Sequence, residues 1–162
     1  MSLKLNSLDV YKAAVLLEKR GAEFYRKSAE HTQGKSRDLL LRLSEMEKGH
    51  AEFFNKLLKD IENKSRTTEA ADTDDQEKDF LIALTSDRIF TEDVFKCEEN
   101  NIEKILEKAM QIEKNSVFFY SAVKDSLQKG MAVADIDRLI AEEVKHYYSL
   151  NRALNNLQKQ DS

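Results

Sequence analysis

Apolar residues recur along the chain in alternating steps of three and four, the period of helices that each bury one face. The pattern predicts four long helices. The first starts near a Ser7 cap and runs to about His31, with Leu8, Tyr11, Val15, Glu18, Ala22, Tyr25 and Ala29 along its inward seam. The second, from about Ser36 to Ile61, turns Leu40, Leu43, Glu47, His50, Phe54, Leu57 and Ile61 inward. The third, from about Asn101 to Lys129, offers Ile102, Leu106, Ala109, Glu113, Ser116, Tyr120, Val123 and Leu127. The fourth, after Gly130, offers Ile136, Leu139, Glu143, His146, Leu150, Ala153 and Leu157. Proline is absent and glycine occurs four times, so little interrupts these helices.

The TQGKS turn around Gly34 and the stretch before Gly130 are short, so each pair of helices forms an antiparallel hairpin. Between the hairpins, ENKSRTTEAADTDDQEK is polar and loop-like. It leads into FLIAL, IF and VF clusters that suit one or two short helices and a lid or subunit contact. The expected fold is all-α: an antiparallel four-helix bundle of two hairpins joined by a long crossover. One domain spans 1–162, with hairpin 7–61, crossover 62–100 and hairpin 101–158.

Each seam is apolar, small or tyrosine except near its middle, where it carries an ionisable group. Two seams carry Glu-x-x-His, as Glu47–His50 and Glu143–His146, and the other two carry Glu18 and Glu113. A three-residue spacing puts Glu and His on one helix face. A carboxylate in an apolar seam is costly unless it is paired or metal-bound. Four carboxylates at one level would repel one another, and two divalent cations would neutralise them. A Glu from each of two helices plus Glu-x-x-His from each of the other two is the ligand set of carboxylate-bridged di-iron bundles. Glu47 and Glu143 are then bridges, Glu18 and Glu113 terminal ligands, and His50 and His146 complete one metal each. Carboxylate and imidazole suit iron or manganese better than thiolate-preferring metals. A lone Glu-x-x-His is a weak signal, and a polar core network is the plain alternative.

The ligands also lie in an internal repeat. LLEKRGAEFYRKS aligns with QIEKNSVFFYSAV, pairing Glu18 with Glu113 and Tyr25 with Tyr120. RLSEMEKGH aligns with RLIAEEVKH, pairing Arg42 with Arg138 and each Glu and His with its counterpart. Such a repeat implies a pseudo-two-fold axis through the centre.

Composition narrows the classes further. The formal net charge of −4 gives no support for nucleic-acid binding. No apolar run is long enough to span a membrane and no leader is evident, so a cytoplasmic setting is expected. Cys97 stands alone, without a disulfide framework or thiolate metal site. Tyr25 and Tyr120, two turns beyond their glutamates, are either core packing or hydrogen-bond donors or redox relays near the metals. Glu142, beside Glu143, reads as a solvated helix face rather than as a partner for a ligand histidine. Glu23, Glu30, Glu45 and Glu52 read as surface, His31 as a partner for a helix C-terminus, and Cys97 as a small bystander.

At EKRGAEFY, EKGHAEFF, EKNSVFFY and EEVKHYY the chain resembles the rubrerythrin branch of the ferritin-like superfamily, over about residues 8–157. The resemblance implies a non-haem di-iron oxidoreductase that reduces hydrogen peroxide or dioxygen (O2) by oxidising bound Fe(II). It implies two Fe ions (Fe2+/Fe3+) per chain, with Mn or Zn as possible substitutes. Glu18, Glu47, His50, Glu113, Glu143 and His146 match the ligand positions. Two departures stand out. Full rubrerythrins carry a four-cysteine rubredoxin-like domain, and this chain has one Cys, so an external electron donor such as rubredoxin is expected. Rubrerythrins also have an extra Glu three residues after the third-helix ligand, where this chain has Ser116, with Gly21 at the repeat-related position. The site therefore looks more like the symmetric six-ligand set of bacterioferritin. A homodimer is expected. Non-catalytic iron buffering, ferroxidase-type iron handling and a purely structural metal remain open. A storage cage is disfavoured by the few residues after the fourth helix.

Overall fold

Four helices hold nearly all of the residues that the computed structural model describes, namely 7–65, 95–96, 100–126 and 133–160. They are α1 (Ser7–Glu30), α2 (Gly34–Ser65), α3 (Ile102–Ser126) and α4 (Val133–Gln160), with no strand among the described residues. α1 packs along α2 and α3 along α4, and the two hairpins meet as α1 against α3 and α2 against α4. The all-α four-helix bundle expected from the periodicity is the fold. α2 runs four residues beyond Ile61, because Glu62, Asn63, Lys64 and Ser65 include neither glycine nor proline to stop it. The short crossover helices, Cys97, Leu127 and the α3–α4 turn lie outside the described residues. Of the apolar clusters at 80–95, only Phe95 is described, and it packs against both parts of the core.

The ends of the helices are set by local chemistry. α1 closes with His31 N and Thr32 N donating to Ser28 O and Ala29 O at 3.2 and 3.4 Å, and Thr32 Oγ1 also donates to Ala29 O. Gly34 then turns the chain at φ +59°, a left-handed conformation that favours glycine. Asn101 caps α3: its Oδ1 accepts from Glu103 N at 3.0 Å and Lys104 N at 3.3 Å. His31, expected to serve the end of α1, instead has Nδ1 3.0 Å from Asn100 Oδ1, which ties the α1–α2 turn to the start of α3.

The core is split into two apolar halves. One gathers Val10, Tyr11, Ala14, Leu17, Phe54, Phe119, Tyr120, Val123, Ile136 and Leu139. The other gathers Phe24, Tyr25, Leu40, Leu43, Ile105, Leu106, Ala109, Ile112 and Leu150. The inward faces are thus wider than single-file seams: Leu17, Phe24, Ile105, Ile112 and Phe119 are buried beside the expected positions. Between the halves sit Glu18, Glu47, His50, Glu113, Glu143 and His146, all buried. Ser44 Oγ donates to Ala22 O at 2.8 Å, linking α2 to the backbone of α1 close to this layer.

Replacing the α3 cap, Asn101→Ala, should destabilise the chain by about 1 kcal/mol. Thermal unfolding should then shift down by roughly 2–4 °C, with the metal stoichiometry unchanged. An unshifted midpoint would mean that the cap contributes nothing.

Candidate metal centre

The buried layer consists of two overlapping groups of side chains. Glu18, Glu47, His50 and Glu143 form one, and Glu47, Glu113, Glu143 and His146 form the other; within each, the donor atoms lie within 4.8 Å of one another. Glu47 and Glu143 belong to both. Glu18 falls with His50, and Glu113 with His146, a pairing that spacing alone leaves open.

Both histidines turn Nδ1 into the cluster. His50 Nδ1 is 3.2 Å from Glu143 Oε1, 3.3 Å from Glu18 Oε2 and 3.4 Å from Glu47 Oε2. His146 Nδ1 is 3.1 Å from Glu47 Oε1 and 3.7 Å from Glu113 Oε2 and Glu143 Oε2. The imidazoles lie nearly parallel, with centroids 5.7 Å apart. Such spacings are close to the edges that a coordination polyhedron would have. Metal–ligand bonds of about 2.2 Å give edges of roughly 3.1 Å when octahedral and 3.6 Å when tetrahedral.

Glu47 Oε1, Glu113 Oε2, Glu143 Oε1 and His146 Nδ1 are buried without a hydrogen-bond partner. Buried polar atoms are nearly always paired, so four unpaired donors converging in one layer are arranged for something held among them. Carboxylate and imidazole donors in this number suit two divalent cations. The residues fit the metal pair that their pattern implies.

Without cations the layer holds protons instead. Burial, followed by the charges of Glu18 and Glu113, pushes the Glu47 carboxyl well above its ordinary value. Burial, followed by Glu47, Glu113 and Glu18, does the same to Glu143. Glu18 is lowered: burial opposes this, but hydrogen bonds from Glu47, His50 and Tyr120 prevail. Burial also opposes charging of His50 and His146, and the carboxylates around them win. Glu143, Glu18 and Glu47 raise His50, and Glu113 chiefly raises His146.

Tyr25 and Tyr120 both pack in the core and both reach the glutamates. Each ring belongs to one apolar half of the core, and each hydroxyl reaches the buried layer. Tyr25 Oη on α1 donates to Glu113 Oε1 on α3, and Tyr120 Oη on α3 donates to Glu18 Oε1 on α1. Burial and the accepting carboxylates push both phenols well above their ordinary range.

Glu142 is not a solvated surface residue, as its place off the α4 seam suggests. Its Oε2 accepts from His50 Nε2 at 2.7 Å, and its Oε1 accepts from Arg138 Nε at 3.2 Å. The reason lies in packing: α2 neighbours α4, and the outer nitrogen of His50 meets α4 one residue before Glu143. The available signals were its adjacency to Glu143 and the arginine one turn earlier. A cleft of about 210 Å3, lined by His50, Phe53, Asp135, Arg138, Leu139 and Glu142, opens at this side of the layer. Glu23, Glu30, Glu45 and Glu52 are exposed, as their positions imply. Ser116 is buried, and a methyl group on Gly21 would lie 3.6 Å from Glu47 Cγ; neither position supplies a further carboxylate.

Fold and centre together define a ferritin-like four-helix bundle with a carboxylate–histidine site for metal. The chain belongs to the rubrerythrin family, whose model matches residues 9–154. Among solved structures it resembles a Thermotoga maritima protein described as ferritin-like and diiron-carboxylate, at 22% identity and a TM-score of 0.65. That likeness covers 94% of this chain and 96% of the other. Among curated proteins no sequence matches.

The protonation pattern gives a sign for the metal-free chain. Above the ordinary carboxyl value of roughly 4.3, folded Glu47 and Glu143 keep protons that the unfolded chain has lost, so stability falls as pH rises. The histidines add to this: their contribution is complete below about 6.5 and is lost as pH rises through their raised folded values. Glu18 acts oppositely, but its contribution is complete just above pH 4.3 or so. The unfolding midpoint of the metal-free protein should therefore decline from about pH 5 to pH 9. Glu47→Gln should flatten the slope and raise the midpoint at pH 8 by roughly 2–4 °C per kcal/mol gained. A midpoint that climbs with pH would overturn this account.

Proposed function

We propose that the protein is a non-haem di-iron oxidoreductase that reduces hydrogen peroxide or dioxygen. The observation that carries the reading is the sharing of Glu47 and Glu143 between two groups that each add one glutamate and one histidine. Family membership supports peroxide or O2 as substrate and a rubredoxin-type donor. The donor chemistry supports iron, with manganese or zinc able to fill the same ligands. Bound as Fe(II), the metal pair would supply the two electrons that, with two protons, convert hydrogen peroxide to two waters.

The chain supplies the surroundings of that reaction. Glu47 and Glu143 place negative charge between the two positions, and Glu18 and Glu113 place it at the flanks. The Tyr120 and Tyr25 hydroxyls hold one oxygen of each flanking carboxylate, while the other faces His50 in Glu18 and His146 in Glu113. The two apolar halves of the core keep bulk water out. The cleft beside His50, about 210 Å3, has room for a diatomic or peroxide-sized molecule. Electrons for further turnovers come from a rubredoxin-type donor, the kind that family membership suggests. No described helix is long and apolar enough to cross a membrane. A homodimer in the cytoplasm completes the reading.

Anaerobic titration of the metal-free protein with Fe(II) should saturate near two irons per chain. Glu47→Ala or Glu143→Ala should weaken both positions together, whereas Glu18→Ala should chiefly affect one. Saturation at one iron, or two full irons in Glu47→Ala, would overturn the shared-ligand assignment. With a reduced donor present, the iron-loaded chain should consume many equivalents of peroxide. Consumption that stops at one equivalent would favour iron handling over catalysis.

A further inference from the structure

The repeat makes the two sides of the centre comparable position by position, and one of their differences bears directly on the histidines. On α4, Arg138 Nε donates to Glu142 Oε1 at 3.2 Å, and Glu142 Oε2 accepts from His50 Nε2 at 2.7 Å. On α2 the repeat keeps the arginine, as Arg42, but Met46 stands where α4 has Glu142. Met46 is exposed, and Nε2 of His146 is buried with no hydrogen-bond partner. One ligand histidine is braced from behind and the other is not.

We propose that Glu142 is a positioning residue that makes the two cation positions unequal, so that the position of Glu18 and His50 binds a divalent cation more tightly than that of Glu113 and His146. The inference rests on the dinuclear reading above. A carboxylate on Nε2–H fixes the tautomer that leaves Nδ1 free for metal, holds the ring plane, and makes the imidazole a stronger donor. Arg138 holds the far oxygen of Glu142, so the brace is itself held. His146 lacks this support. When its Nδ1 binds metal, its Nε2 must carry the proton, and that N–H stays buried without an acceptor, which costs free energy. Exposure works in the other direction but weakly: the side chains of His50 and His146 are 11% and 3% exposed. The cleft lined by His50, Asp135 and Glu142 lies on the same side and bears on how fast a cation enters, not on how tightly it is held.

The test is an anaerobic titration of the metal-free protein with Co(II), followed by its visible ligand-field absorption and by calorimetry. The parent chain should bind two Co(II) in two resolved steps. In Glu142→Ala the tighter step alone should weaken by about 10–100-fold, bringing the two steps together. Glu142→Gln keeps an acceptor for Nε2–H without the charge and should fall between them. Met46→Glu, made at an exposed position, should tighten the weaker step. Far-UV circular dichroism of the metal-free variants checks that the helices are intact. Equal steps in the parent would overturn the proposal. So would equal weakening of both steps, or of neither, in both Glu142 variants. A parent that binds fewer than two Co(II) would overturn the dinuclear reading together with this one, whereas two equal steps would overturn only the inequality.

Discussion

Everything in this bundle is arranged around the mutual repulsion of four carboxylates buried in one layer. Water screens such charges well and a protein interior screens them poorly. Glu18, Glu47, Glu113 and Glu143 are each almost fully buried. An all-apolar layer would pack with less difficulty. The chain keeps the acids and surrounds them with the means to hold them: two imidazoles within the layer, two phenols at its edges, and apolar core above and below. Protons fill the gap when metal is absent, which is why two of the glutamates are raised and both histidines are raised. The site is therefore a store of unfavourable electrostatics that cations relieve, and its neighbours keep the acids from escaping to solvent.

Much of this was legible in the residues because a charged side chain interrupts an apolar stripe conspicuously. Glu18 and Glu113 stand out against leucine, valine and tyrosine on the same face, and the repeat places each beside a counterpart. The helices were legible for a similar reason, as long periodic windows contain no proline. What escaped depends on how helices lie against one another. Phe24 and Phe119 are buried because each inward face is broad, a property of interhelical packing rather than of sequence spacing. The pairing of Glu18 with His50 requires knowing which helices are neighbours. Glu142 was misjudged because its partner, His50, comes from a different helix, 92 residues away.

The internal repeat gives the centre a near-symmetry that the chain does not fully honour. Ligands and tyrosines are duplicated faithfully, as if each half were under the same chemical demand. The flanking residues are not: Met46 and Glu142 diverge while the arginines beside them are retained. A duplicated site that keeps its whole ligand set can treat its two members differently only through such flanks.

The crossed tyrosines also have a mechanical consequence. Tyr25 reaches from α1 to Glu113 on α3, and Tyr120 reaches back from α3 to Glu18 on α1. Each tyrosine lies seven residues, about 10.5 Å of helix rise, beyond the glutamate of its own helix. Both contacts can form together only if the two helices run antiparallel in this register. Sliding α1 along α3 by one residue, about 1.5 Å, displaces both contacts, in opposite senses, whichever way it moves. Shear between these two helices in either direction therefore costs both hydrogen bonds at once.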